Sequence, residues 1–204
     1  MDLVDIFPAT IGVTDLKSLT PALMASARAL IDADCSGNPV AGDGSFTREQ
    51  QLLNRDLFAP VKQEILGLCR DFSTAHSHQI DDLAICNSWG NVVRQGENIR
   101  YHQHNNAYIS GSFYLSDGSP FNILNQHHGN LFNFAPAKVP GPNYRAMDSF
   151  TINPKPGRLV LFPANLMHCV LPSQSIALRY SIAFNVIPLG KIGTATSLME
   201  IRLG

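Results

Sequence analysis

His102 and His104 stand two residues apart, and His168 follows further along the chain, ahead of Arg179-Tyr180-Ser181. On an extended strand, residues i and i+2 point the same way. Both imidazoles of the first pair can therefore reach one ion at about 2.0–2.2 Å. His168, next to an apolar stretch, can close a three-point metal site. Arg179, 11 residues after His168, carries a planar fork suited to a carboxylate, and Ser181 shares its face and can add a hydrogen bond. The spacing predicts a metal site with a docking point for an acidic co-substrate.

Each residue also has a plainer reading. A single histidine is more often structural than a ligand; the pair plus the third shifts that balance. His76-Ser77-His78 has the same spacing but follows a helix, where residues i and i+2 diverge, so it is expected to cap the helix or lie on the surface. His127 and His128 are adjacent, point apart, and fall in a long loop. Arg179 could form a surface ion pair, and Trp89, Phe113 and Phe162 are expected to be core. Tyr101 should face away from the metal, whereas Tyr108 and Tyr114 share parity and could line a cavity. Asn91 and Asn185 would be awkward buried without partners, which suggests a polar ligand beside them.

The elements that must position these residues change character along the chain. Thr20-Pro21 is a cap and first-turn proline for a helix with Leu23, Met24, Ala27, Leu30 and Ile31 on one face. Thr47-Arg48-Glu49-Gln50 fits a capping box. Pro60 opens a further helix with Val61, Ile65, Leu68, Cys69 and Phe72 along it, and Ser36 to Gly44 reads as loop. From Asp82 the apolar period becomes two. Strands are expected at 83–94, 99–104, 108–115, 120–124, 158–162, 167–171 and 176–187, with Ser116-Asp117-Gly118-Ser119 as a hairpin turn. Asn125 to Ser149 is a long connection of the kind that carries function. In the last strand Leu178, Tyr180, Ile182, Phe184 and Val186 form an apolar face for the helices, which leaves Arg179, Ser181, Ala183 and Asn185 facing a cavity. Asn87, Trp89, Asn91 and Val93 likewise share one face. The pattern predicts an α+β, mainly β domain: a mostly helical layer over 1–80, a sandwich or barrel over 81–190, and a C-terminal tail over 191–204.

Composition narrows the partners. With 204 residues and 45% apolar content the chain fits one domain with a sizeable core. The 15 basic and 16 acidic residues nearly cancel, which gives no electrostatic footprint for nucleic acid or membrane. The acidic start Met1-Asp2-Leu3-Val4-Asp5 is no secretory signal, and no apolar run approaches about 20 residues. Cys35, Cys69, Cys86 and Cys169 are widely spaced and read as reduced residues of a cytoplasmic protein, Cys169 as core rather than ligand.

The order of motifs resembles the 2-oxoglutarate- and iron(II)-dependent oxygenases, in a small branch near the prolyl-4-hydroxylase-like group. The resemblance rests on Asp5-Ile6-Phe7-Pro8-Ala9-Thr10, on Ser88-Trp89-Gly90-Asn91-Val92 with Gly96, and on His102-Gln103-His104 through Ser110-Gly111-Ser112-Phe113-Tyr114. It continues through Pro156-Gly157-Arg158-Leu159-Val160-Leu161-Phe162-Pro163 with His168, and ends on Arg179-Tyr180-Ser181-Ile182-Ala183-Phe184-Asn185. It implies a double-stranded β-helix, or jelly roll, with N-terminal helices packed on the major sheet. It implies iron(II) held by His102, His104 and His168, and 2-oxoglutarate with its far carboxylate on Arg179 and Ser181, with Tyr114, Asn91 and Asn185 around it. It implies loss of CO₂ to give succinate and hydroxylation of a C–H bond. The wider superfamily has a carboxylate where this chain has His104; a neutral third ligand changes the charge on the metal and also suits zinc or copper. The expected partners are a small-molecule, amino-acid or protein side-chain substrate and a second copy in a homodimer. Two alternatives stand beside this reading: a cupin-type three-histidine metalloenzyme without 2-oxoglutarate, and a non-catalytic jelly-roll binding module.

Overall fold

The computed structural model describes residues 9–36, 42–125 and 147–202. Most of the opening motif, much of the Ser36–Gly44 loop and nearly all of the Asn125–Ser149 connection, with His127, His128, Phe132, Phe134 and Tyr144, lie outside the described residues.

Two sheets face each other. The eight strands that build them in sequence from residue 82 are β4 (Asp82–Val93), β5 (Ile99–His102), β6 (Ile109–Tyr114), β7 (Phe121–Leu124), β8 (Ser149–Ile152), β9 (Arg158–Pro163), β10 (His168–Val170) and β11 (Arg179–Ile192). Among the described residues the chain crosses between sheets at every step but β7 to β8: β9-β6-β11-β4 form the centre of the major sheet and β5-β10-β7-β8 the minor sheet, all paired antiparallel. This is a double-stranded β-helix, as expected.

Strand parity decides which side chains enter the space between the sheets. On β9, Leu159 and Leu161 pack toward the helices while Val160 and Phe162 turn inward; on β11, Tyr180, Ile182, Phe184 and Val186 pack toward the helices. On β4 the register with β11 shifts between Asn185 and Val186. That bulge returns Ile85 and Leu83 to the helix side after Asn87, Trp89 and Asn91 have faced inward. The two helices cover the outer face. α1 (Pro21–Asp34) starts at Thr20, whose Oγ1 accepts from Leu23 N at 3.2 Å, with Pro21 in the first turn; Ala27 and Ile31 are buried. α2 (Ala59–Ala75) has Pro60 in its first turn and buries Val61, Ile65, Cys69 and Phe72. Gly90 lets Ile31 lie against the sheet: a Cβ there would overlap Ile31 Cγ1.

Several expectations are corrected. Beside its helices the stretch over 1–80 adds three short strands that were not foreseen: β1 (Gly12–Asp15) pairs with β9, and β3 (Ser45–Thr47), with β2 (Cys35–Ser36) beyond it, extends the other edge from β4. Such short edge strands leave too few residues for a period to register. Thr47 opens no capping box. Its Oγ1 accepts from Gly90 N at 3.0 Å and donates to Glu49 O at 2.9 Å, so it staples β3 to β4. The nearest helical turn is the short 3₁₀ turn Leu52–Asn54. Ser116–Ser119 is no hairpin, because β6 and β7 lie in different sheets; it is the corner between them. The residues after 190 are not a bare tail: β11 runs to Ile192 and pairs with β12 (Met199–Ile201). No helix among the described residues is long and apolar enough to cross a membrane.

Candidate active site

The register brings the distant histidines together. His168 opens β10 directly opposite His102, the last residue of β5. His104 lies just past the strand, its backbone N–H donating to Ala164 O at 2.8 Å. One ligating atom from each of the three lies within 4.8 Å of the other two. The ring centroids are 5.1 Å (His102–His104), 4.3 Å (His102–His168) and 5.2 Å (His104–His168) apart.

Two of these rings share one local device. Nδ1 of His102 lies 2.8 Å from Arg100 O, and Nδ1 of His168 lies 2.7 Å from Leu166 O. A carbonyl oxygen only accepts, so each Nδ1 carries the proton and each Nε2 keeps its lone pair. Burial, with the charge of His102 second, pushes the His104 imidazole down to about 4 and His168 down to about 3. Both are therefore neutral at pH 7. Nε2 of His102 and of His168, set by their backbone bonds, and the neutral His104 ring beside them make a nitrogen donor set that fits a divalent transition metal. Asn185 Nδ2 stands 3.5 Å from His104 Nδ1, and Ser110 Oγ donates to Asn185 Oδ1 at 2.7 Å.

The second half of the site is Arg179. It is 1% exposed. Its Nε donates to Ser119 O and its Nη1 to Ser181 Oγ, both at 3.0 Å, and its guanidinium carbon lies 5.1 Å from the centre of the Tyr114 ring. No carboxylate among the described residues forms an ion pair with it. Burial works against its charge, opposed by Tyr114. The corner at Gly118 is shaped to it: φ is +144° and a Cβ there would stand 2.7 Å from Arg179 Cβ. Register sets Asn91, Ser181 and Tyr114 in one row across β4, β11 and β6. Burial pushes the Tyr114 hydroxyl up to about 12, although the Arg179 guanidinium beside it pulls the other way by its charge and by a weak hydrogen-bond contact; at full hydrogen-bond distance and angle that hydroxyl has no partner. An unpaired buried cation beside an orphaned buried hydroxyl is a cradle for an anion.

One cavity of about 390 Å³ joins the two halves, lined by all three histidines, Arg179, Ser181 and Asn91. That is within the range of small-molecule sites. Its apolar walls include Phe121 and Phe162, whose rings are 5.4 and 4.7 Å from His168.

The structure thus gathers His102, His104, His168, Arg179, Ser181, Tyr114, Asn91 and Asn185 between the sheets. It moves two others. Tyr108 does not line the cavity: it precedes β6, and its hydroxyl meets His78 Nδ1 at 2.6 Å on the helix side. Trp89 is not core. It lines the cavity 5.9 Å from His104, with Nε1 donating to Asn91 Oδ1 at 3.1 Å. Its parity with Asn91 was the available signal. His76 keeps to the helix end, its Nδ1 2.8 Å from Phe72 O. Tyr101 turns outward as expected, donating to Asn122 Oδ1 at 2.7 Å. Sequence reasoning missed Asp43 and Arg100 at the cavity mouth; Arg100 was legible from its two-residue offset to His102.

A jelly roll that opens one cavity onto a histidine cluster and a buried arginine defines the class of the 2OG-Fe(II) oxygenases. Residues 87–185, just under half of the chain, match the family described as "Putative 2OG-Fe(II) oxygenase". Solved structures carry the fold likeness across nearly the whole chain. HygX from Streptomyces hygroscopicus, solved with nickel, 2-oxoglutarate and hygromycin B, is similar at 15% identity and a TM-score of 0.62, over 88% of this chain and 83% of its own. A Pseudomonas putida prolyl-4-hydroxylase gives 13% and 0.58, over 87% and 92%. The epimerase SnoN from nogalamycin biosynthesis gives 11% and 0.64, over 96% and 89%. No curated protein matches the sequence.

Proposed function

We propose that His102, His104 and His168 hold the iron of this oxygenase and that Arg179, with Ser181, Tyr114 and Asn91, holds the far carboxylate of 2-oxoglutarate. The observation that carries the reading is the fully buried Arg179 with no anionic partner among the described residues, in one cavity with the three clustered imidazoles. HygX, a structural neighbour, binds 2-oxoglutarate and nickel, which supports the same pairing of ligands here. Bound iron(II) supplies the oxygen chemistry that turns a C–H bond into C–OH while 2-oxoglutarate becomes succinate and CO₂.

The residues of the chain do the rest. His102 and His168 present Nε2 because backbone carbonyls hold their Nδ1 protons. Arg179 pairs its charge with the co-substrate, Tyr114 gives its unpartnered hydroxyl a carboxylate to donate to, and Asn91 is held toward the same row by Trp89. Asn185, tied to Ser110, steadies His104. Phe121 and Phe162 keep water from the histidines. The substrate is a small molecule or an amino-acid or protein side chain, and the four unpaired cysteines fit a cytoplasmic setting.

Purified protein with iron(II), ascorbate and oxygen is expected to release succinate from 2-oxoglutarate, and His168→Ala or Arg179→Met to lose that release. The three-histidine enzyme without 2-oxoglutarate predicts instead that Arg179→Met keeps full activity on its own substrate. The non-catalytic module predicts no stoichiometric metal by elemental analysis.

A further inference from the structure

Among the described residues three charged side chains line the cavity: Arg179 at its buried end, and Asp43 and Arg100 together at its mouth. Arg100 and His102 are two residues apart on β5 and so share a face, about 6–7 Å apart along the strand. Arg100 Nε donates to Asp43 Oδ2 at 3.1 Å. Its side chain is 62% exposed while that of Asp43 is 12% exposed, and no described residue accepts from its Nη1 or Nη2. An arginine that spends Nε on its ion pair keeps the outer edge of its fork for a bidentate grip on a carboxylate. The pair is fixed by backbone on both sides. Gly44 N donates to Asn98 O at 2.7 Å and Asn98 N to Gly42 O at 3.0 Å, which bridges Asp43 to Asn98. Between this mouth and the imidazoles the walls are neutral and largely aromatic: Phe46, Trp89, Phe121 and Phe162.

A fixed pair of opposite charges at the mouth of an uncharged, aromatic-walled space complements a molecule with adjacent opposite charges and an apolar body. Resting on the oxygenase reading above, we propose that the primary substrate is a free α-amino acid with an apolar side chain. Arg100 grips its carboxylate, Asp43 faces its ammonium, and its side chain runs past Trp89 toward the three histidines. The 6–7 Å offset on β5 brings side-chain carbons, not the α-carbon, over the metal position. The balance is that of the class: one atom of O₂ enters the amino-acid side chain as C–OH, the other enters succinate, and 2-oxoglutarate, the reductant, loses CO₂. A residue within a peptide lacks the adjacent ammonium and carboxylate and would leave both rim charges unused.

The test is calorimetric titration, without oxygen, of the protein loaded with iron(II) and 2-oxoglutarate. The titrants are the apolar L-amino acids, then the N-acetyl and methyl-ester forms of any that bind. Arg100 is exposed but Asp43 is largely covered, so Arg100→Gln and Asp43→Asn are first shown by thermal unfolding to fold like the unaltered protein. The expected result is that at least one apolar amino acid binds, that blocking either end weakens it tenfold or more, and that both variants do the same. Affinity for 2-oxoglutarate stays within twofold in both variants. If 2-oxoglutarate binds but no amino acid does, or if the blocked forms bind as tightly as the free one, the proposal is overturned and the oxygenase reading stands. If 2-oxoglutarate itself fails to bind, both fall together.

Discussion

Replacing Arg179 with methionine separates a binding arginine from a structural one. In the free protein its cation is buried with two hydrogen bonds and no ion-pair partner among the described residues. A buried ion costs several kcal/mol even after relaxation, and hydrogen bonds from a charged group return about 1.5–3 kcal/mol each. Arg179→Met removes both contributions, which nearly cancel, so unfolding free energy without 2-oxoglutarate should move by no more than about 1 kcal/mol. A strut in a buried ion pair would lose about 3–5 kcal/mol on truncation. Binding behaves in the opposite way. Truncating one side of a buried charge pair costs about 2–5 kcal/mol, which raises the Kd for 2-oxoglutarate roughly 30- to 4,000-fold. Thermal unfolding of the metal-loaded protein reads both effects. At a hundredfold excess over Kd, 2-oxoglutarate adds about 2.7 kcal/mol to the unaltered protein, about 5–11 °C in Tm at this chain length. At the same concentration the variant gains less than about 1 kcal/mol. A variant that loses 3–5 kcal/mol without ligand yet keeps the full 2-oxoglutarate shift would refute the reasoning.

Tyr114→Phe removes a buried hydroxyl that has no partner. It should leave the ligand-free protein as stable or more stable by about 1 kcal/mol, and weaken 2-oxoglutarate about tenfold by calorimetry, the loss of one hydrogen bond to a charged group. His104 and His168 stay neutral in the fold down to about 4 and about 3, whereas unfolded histidine protonates near 6.5. Their contribution to the stability of the metal-free protein is therefore full above about pH 6.5 and is lost progressively as pH falls toward 4 and 3. Denaturant midpoints should fall through that window, and a flat profile would contradict the burial of these rings. Gly111→Ala puts a Cβ against Phe184 Cζ and 2.9 Å from Leu161 Cδ2. It should cost about 1–3 kcal/mol by overpacking, read as a lowered Tm.

Much of the site was legible because strand parity is a strict code. Arg179 and Ser181 on one side of β11, and Tyr180, Ile182, Phe184 and Val186 on the other, follow from a period of two alone. The long amphipathic helices were legible from a period of 3.6, and seven of the eight strands from a period of two; β8 (Ser149–Ile152) was not read. What could not be read was partnership. Thr47 carries the residues of a helix cap, yet it sits in a three-residue strand because Gly90 N offers its hydroxyl a cross-strand bond. Ser116–Ser119 has hairpin chemistry, but whether a turn joins neighbours or crosses between sheets depends on the strands that flank it. Tyr108 has the parity of Tyr114, but it lies outside the strand, where His78 draws it away. Trp89 reads as core by size; Asn91 holds it at the cavity wall.

The central claim is that three histidines and a buried arginine form one metal-dependent site for 2-oxoglutarate. Calorimetric titration of 2-oxoglutarate into the protein with and without iron(II), in the absence of oxygen, tests it most directly. The account predicts one 2-oxoglutarate per chain with iron, and binding at least tenfold weaker both without iron and in His168→Ala. Equal binding with and without metal, or no binding to the iron-loaded protein at millimolar 2-oxoglutarate, would contradict it.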